Sequence, residues 1–179
     1  MTTLYKLTDE NHRTYGKTKW GVGVTHETSG KGALCSSGWL HAYLSPELAV
    51  LLNPIHADFE NPVLWEAEGE IGLTDHQLKV GCKKLTTVRI LEAPAVSTEQ
   101  RVKFAIFCAL AVYDAPAFVA WANGWLDGTD RSAAEAAAAE AARAAAWAAW
   151  AARAAAWAAS AAEAGEPLDL IDIAKRALA

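Results

Sequence analysis

Residues 63–91, VLWEAEGEIGLTDHQLKVGCKKLTTVRIL, decide the fold. From Val63 to Glu70 the chain alternates, with Val63, Trp65 and Ala67 on one side and Glu66, Glu68 and Glu70 on the other, the two-residue period of a half-buried strand. Leu78 to Cys82 alternates again, Leu78, Val80 and Cys82 opposing Lys79 and Lys83, and a third run, Leu85 to Leu91, follows at once. Three such runs predict an antiparallel meander. Pairing of the first two would set the three glutamates against the two lysines on a wet face as cross-strand charge pairs, with Trp65 in the core.

Toward the N-terminus the pattern stays strand-like at Leu4–Leu7, Trp20–Thr25 and Trp39–Leu44, separated by Gly, Asn, Asp and Ser turns. Ser45-Pro46-Glu47 predicts a short helix from Pro46 to Leu52, because serine accepts the first free amides and proline tolerates the first helical position; Asn53-Pro54 is expected to stop it. Beyond Pro94 the period becomes helical. Ser97-x-x-Gln100 reads as a capping box for a helix from Thr98 to about Tyr113, with Val102, Ala105, Ile106, Ala109 and Leu110 on one stripe. A second helix runs from Pro116 through Trp121 and Trp125 to Asp127-Gly128. A last one, Leu168–Leu178, carries Leu170, Ile171, Ala174 and Leu178 on its apolar side.

Ser132-x-x-Glu135 opens a segment in which, from Ala133 to Ala164, nine residues are not alanine. Alanine has the highest intrinsic helix propensity, so one long helix over residues 132–164 is predicted. On a helical projection the nine exceptions share one side. Trp147, Trp150 and Trp157 form a ridge there, with Arg143 able to lie over the Trp147 ring. The opposite side is alanine alone, and Ala144, Ala148, Ala151 and Ala155 recur at spacings of three and four, as in a close-packed seam. The ridge suits docking on the protein's own domain or a second copy, and also a stacking platform for a planar ligand. Arg143-Ala-Ala-Ala-Trp147 echoes in Arg153-Ala-Ala-Ala-Trp157, as a duplication would.

The chain is therefore read as α+β: a small antiparallel β-rich N-terminal domain followed by α-helices, including one long Ala-rich helix. Residues 1–96 form the β-rich core domain, 97–130 two packed helices completing the core, and 131–179 the Ala/Trp helix with a short C-terminal helix. The net charge is −5 and divides evenly, residues 1–96 holding nine Lys/Arg against eleven Asp/Glu. That balance is unsuited to a dedicated duplex nucleic-acid binder. Glu and Arg interrupt the alanine segment, so no membrane span is expected, and the N-terminus has no secretory pattern. Three scattered cysteines, Cys35, Cys82 and Cys108, point to free thiols and a cytoplasmic location.

Trp39, His41 and Tyr43 share one strand face, where His41 is equally compatible with a packed, hydrogen-bonded histidine and with a ligand contact. With Trp20 they make an aromatic set, and Lys79, Lys83 and Arg89 are cations that could converge on an anion; solvated strand edges explain those cations equally well. Cys35, His41, His76 and Cys82 lack the close paired spacing of a zinc site, so no metal is assigned. No phosphate loop, Gly-rich nucleotide fingerprint or nucleophile elbow is present, no cofactor is called for, and no catalytic residue is assigned.

Cys35-Ser-Ser-Gly38-Trp39-Leu40-His41, the Pro-started helix at Ser45-Pro46-Glu47-Leu48, the Glu66–Glu70 strand and Asp75–Lys79, together with the alanine-rich tail, resemble a domain family of phages, prophages and bacteria that has no assigned activity. The resemblance covers roughly the first 90 residues and the style of the tail. Ala42-Tyr43-Leu44-Ser45-Pro46-Glu47-Leu48-Ala49 is also similar, over this short motif, to ADP-ribosyltransferase-like folds, which bind NAD between two small sheets. The remaining catalytic trio of such folds is not found in order, and Glu66, Glu68 or Glu70 would have to serve. The reading that follows is a non-enzymatic phage or prophage accessory protein, in the host cytoplasm, that self-associates through its helices and binds a small anionic, nucleotide-like ligand. Counter-defence sequestration of an immune signal suits that form. The alternatives are an NAD-using enzyme and a structural assembly module.

Overall fold

A computed structural model describes residues 2–75, 77–111, 113–129, 131 and 168–179, which form two compact units, residues 1–95 and 96–179. The architecture is α+β, an antiparallel sheet followed by helices. The long alanine helix expected over residues 132–164, with its seam and its tryptophan ridge, lies outside the described residues.

The first unit is built on a long hairpin, β6 (Val63–Thr74) and β7 (Val80–Leu91). The two runs read separately as Leu78–Cys82 and Leu85–Leu91 are one continuous strand. The hairpin closes through the Asp75 amide on the Lys79 carbonyl at 2.9 Å and the Leu78 amide on the Asp75 carbonyl at 2.7 Å. This register sets Glu66 opposite Arg89 and Glu68 opposite Thr86. The expected glutamate–lysine pairs are therefore replaced by a Glu66–Arg89 ion pair at 2.6 Å, while Lys84 binds Glu27 at 2.8 Å.

β1 (Thr2–Thr8) pairs antiparallel with β6, and β4 (Thr25–Glu27) and β5 (Leu40–Ala42) lie in tandem along the other edge of β7. Just past β5, the Tyr5 amide donates to the Tyr43 carbonyl at 2.9 Å and the Tyr43 amide returns to Tyr5 at 2.8 Å. The circuit β1–β6–β7–β5–β1 thus meets itself at this one bridge, which covers the facing edges at that point. Leu4, Trp20, Ala42, Ala67, Val80, Cys82 and Leu85 fill the inside. Trp65 is buried as expected, its indole N–H donating to Thr8 Oγ1 at 3.1 Å. A two-stranded ribbon, β2 (Arg13–Thr14) with β3 (Thr18–Lys19), precedes Trp20. The predicted strand from Trp20 to Thr25 is mostly turn, because the Val24 amide folds back onto the Gly21 carbonyl at 3.0 Å.

α1 spans Pro46–His56 and packs on β1. Ser45 caps it, accepting the Leu48 amide at 3.1 Å. It runs past the stop expected at Asn53-Pro54. Proline here sits in the final turn, and the following loop is held by Asn53, whose side chain donates to the Phe59 carbonyl at 2.9 Å and accepts the Phe59 amide at 3.2 Å. Burial of Leu48, Leu51 and Leu52 offsets the amide that proline lacks.

In the second unit, α2 (Thr98–Leu110) opens on the expected capping box, with Ser97 Oγ accepting the Gln100 amide at 3.1 Å and Gln100 Oε1 accepting the Ser97 amide at 2.9 Å. α3 (Pro116–Asp127) ends at Gly128 in the left-handed conformation. Val102 and Ile106 of α2 meet Ala122 and Trp125 of α3. α4 (Leu170–Leu178), capped by Asp169, packs on α2 and buries Leu170, Ile173, Ala174 and Ala177, so that Ile173 and Ala177 take the places expected for Ile171 and Leu178.

Between β4 and β5 the chain doubles back, the Gly30 amide bonding the Gly38 carbonyl at 2.9 Å. A β-carbon at Gly38 would overlap the Lys31 carbonyl oxygen. The glycine of the Cys35-Ser-Ser-Gly38 motif is thus required by close backbone approach. Gly38→Ala is expected to lower stability by about 1–3 kcal/mol, the usual range for overpacking, and to shift the amide resonances of His41. An unchanged denaturation midpoint would contradict this packing.

Candidate functional site

One end of the sheet circuit opens into a cleft of about 260 Å³. β1 supplies Lys6, β5 and the residue after it supply His41 and Tyr43, and the end of the β6–β7 hairpin supplies Lys79. The extended final turn of α1 brings in His56, with Phe59 beyond it, while the β2–β3 ribbon contributes Thr14 and Tyr15 at the mouth. Tyr15 is 97% exposed.

Two lysines dominate the electrostatics. Lys6 is 7% and Lys79 9% exposed, yet among the described residues neither ion-pairs with a carboxylate, and no Asp or Glu lines the cleft. Lys6 shares the inward face of β1 with Leu4, by strand parity. Its ammonium donates to the His41 carbonyl at 2.7 Å and lies 5.1 Å from the Trp20 ring centroid. Burial pulls its pKa from 10.5 to about 8, against a smaller upward pull from Cys82. A shift of that size corresponds to on the order of 3 kcal/mol held against folding at neutral pH. Lys79 Nζ donates to Cys35 Sγ at 3.1 Å.

Both histidines are held neutral. His41 Nε2 donates to the Leu34 carbonyl, which leaves Nδ1 as the acceptor. Burial lowers the His41 pKa; the Leu34 bond opposes this, and the positive charges of Lys6 and Lys79 add to it. His56 is pushed down to about 4 by burial, then by Lys79 and His41. Its Nδ1 is 3.3 Å from the Tyr43 hydroxyl, and the rings stack with centroids 5.9 Å apart. Burial also raises the Tyr43 pKa, so the Tyr43–His56 pair carries no charge at neutral pH. The cleft therefore has net positive charge concentrated on two ammonium groups, flanked by neutral donors and acceptors. A small anion is the species such a lining stabilises.

Of the residues singled out from sequence, His41, Tyr43 and Lys79 meet here. Trp20 lies beneath, its N–H on Thr14 Oγ1 at 3.0 Å and its ring under Lys6. Trp39 points elsewhere: its ring covers Gly72 and its N–H bonds the Gly32 carbonyl at 3.0 Å. Lys83 lays its methylenes along Gly30, and Arg89 is engaged by Glu66. Glu66, Glu68 and Glu70 do not line the cleft. Lys6, His56, Tyr15 and Phe59 were missing from the sequence-derived set. Among the described residues no three His, Cys, Asp or Glu side chains converge as metal ligands, and no disulfide forms. Compared with family models, curated proteins and solved structures, the chain finds no match, so its reading rests on this geometry.

The two shifted groups give pH signatures of the same sign in separate windows. Between pH 6.5 and 4 the unfolded chain takes up a proton at His56 that the folded chain refuses, so stability falls as pH drops through that window, by up to ~3 kcal/mol. Between pH 8 and 10.5 the unfolded chain retains a Lys6 proton that the folded chain has shed, so this group makes stability rise with pH. Lys6→Met should raise the unfolding free energy from urea denaturation at pH 7 by on the order of 1–3 kcal/mol, and flatten the alkaline rise. A destabilised Met variant would show that the buried charge is neutralised inside the fold.

Proposed function

We propose that this chain is a phage or prophage accessory protein that binds a small anionic, nucleotide-like ligand in the Lys6–Lys79 cleft and self-associates through residues 132–164. The observation that carries the ligand reading is the pair of buried ammonium groups without a carboxylate partner in the cleft. A buried charge that costs the fold stability is expected where a ligand supplies the missing countercharge. Phosphate oxygens suit two separate point-charge lysines, and Tyr15 and Phe59 offer aromatic surface beside them for a planar base. A volume of about 260 Å³ suits a mononucleotide better than a dinucleotide.

The NAD-consuming alternative draws less support, because the glutamates it needs lie away from the cleft. An assembly module alone leaves the uncompensated lysines unexplained. Cysteines without a disulfide among the described residues agree with a reducing host cytoplasm, and no helix among the described residues is long and apolar enough to cross a membrane. Sequestration of a host immune signal is the biological role this form would serve. Self-association rests on the sequence pattern of Ala144, Ala148, Ala151 and Ala155 with the Arg143, Trp147, Trp150 and Trp157 ridge.

Thermal-shift measurements with mononucleotides, cyclic nucleotides and inorganic phosphate test the ligand reading. Ligand at about 100 times its Kd should stabilise by roughly 2.7 kcal/mol, several degrees in Tm, with loss of the effect in Lys79→Met and weakening as pH rises above 8. No stabilisation by any of them overturns it. Light scattering should find an oligomer that Ala148→Glu with Ala155→Glu dissociates; a monomeric wild-type chain refutes the assembly.

A further inference from the structure

We propose that Lys6 is also an amine nucleophile, forming an imine with an aldehyde or ketone carbon of a small phosphate-bearing molecule whose anionic group Lys79 holds. This rests on the anion-binding reading of the same cleft and adds a covalent activity to it.

The two lysines are placed for different tasks. Lys6 projects from the inward face of β1, where the His41 carbonyl fixes its nitrogen at 2.7 Å and, among the described residues, no carboxylate confines it to the ammonium form. Because the carbonyl accepts an N–H, the lone pair of the neutral amine is left to point away from it. Lys79 enters from the hairpin on the opposite side of the circuit and is anchored on Cys35. A lysine desolvated inside the fold is the arrangement that activates amines toward carbonyl carbons. Burial holding Lys6 at about 8 agrees with this, leaving a usable fraction of free amine near neutrality. The titratable groups that share the cleft with it are Lys79, His41, Tyr15 and the Tyr43–His56 pair, with Cys82 beneath; Cys82 is raised to about 11 by burial and stays a thiol.

The step balances without an oxidant or reductant. The Lys6 nitrogen attacks the carbonyl carbon, a C–N bond forms, and the carbonyl oxygen takes up a proton to give a carbinolamine. Loss of the oxygen as water, carrying both amine protons, leaves the C=N bond. Tyr43 and His56, neutral and in contact, are the groups in the cleft able to pass those protons from nitrogen to oxygen. A ligand combining a free sugar aldehyde with a phosphate has both required features.

The full chain is incubated with glyceraldehyde 3-phosphate or with glyceraldehyde, reduced with borohydride and mapped by peptide mass, alongside thermal shifts with inorganic phosphate. The expected result is one reduced adduct on Lys6, formed about tenfold or more faster with the phosphorylated aldehyde, as electrostatic capture raises local concentration. Lys6→Met should abolish it, and Lys79→Met should remove the advantage of the phosphorylated probe over glyceraldehyde. Adducts on exposed Lys84 at a rate equal to Lys6, or none on Lys6, overturn the imine. Phosphate stabilisation without a Lys6 adduct overturns the imine alone and leaves the anion reading standing. A Lys6 adduct formed equally fast with both probes, without phosphate stabilisation, overturns the anion reading and the role given to Lys79.

Discussion

A lysine ammonium donating to a backbone carbonyl inside the sheet circuit, with no carboxylate among the described residues to balance it, is the constraint on which the first unit turns. Lys6 takes the place that a leucine or valine would fill on the inward face of β1, and its nitrogen meets the His41 carbonyl and the Trp20 ring. Neither contact neutralises a charge. A carbonyl dipole and an aromatic face soften desolvation, and the remaining cost appears as the lowered affinity of Lys6 for its proton. Folding tolerates this because the hydrophobic circuit around it, from Leu4 to Leu85, is large enough to carry one unfavourable group.

The same charge organises its neighbours. With Lys79 on the far side of the cleft, protonation of His41 or His56 would place a third positive charge among buried groups, so both rings remain neutral and serve as hydrogen-bonding surface. His41 is fixed by Leu34, at the start of the loop that also seats Cys35 against Lys79. Gly38 lets that loop double back tightly, and Trp39 locks it over Gly72. The Cys-x-x-Gly-x-x-His block thus acts as a local frame: its cysteine anchors one lysine, its glycine permits the turn, and its histidine backbone receives the other lysine.

Much of the first unit could be read from residue pattern. Alternation through Val63–Glu70 and the capping signal at Ser45 reflect local physics and reappear in the fold, as does the Ser97 cap in the second unit. What pattern could not supply was register and depth. Arg89 looked free until pairing placed it opposite Glu66, and Lys83 until Gly30 came beneath it. Lys6 was legible in principle, since in Leu4-Tyr5-Lys6-Leu7 it falls on the face of Leu4, but parity alone does not say which face is inside. His56 was hidden by the reading of Pro54 as a stop; only the Asn53–Phe59 bonds, between residues six apart, show why the helix continues to it. Tyr15 reaches the cleft through the small β2–β3 ribbon, whose two-residue strands leave almost no periodic signal.

The most direct test is an NMR titration of the Lys6 side chain, following its 13Cε resonance with pH in the absence and presence of inorganic phosphate. An uncompensated buried ammonium predicts a midpoint near 8 that climbs toward the ordinary lysine value of 10.5 once phosphate occupies the cleft. A midpoint at the ordinary value from the outset, or one that phosphate leaves unmoved, would mean that the charge is already satisfied within the protein and that the cleft has no call for an anion.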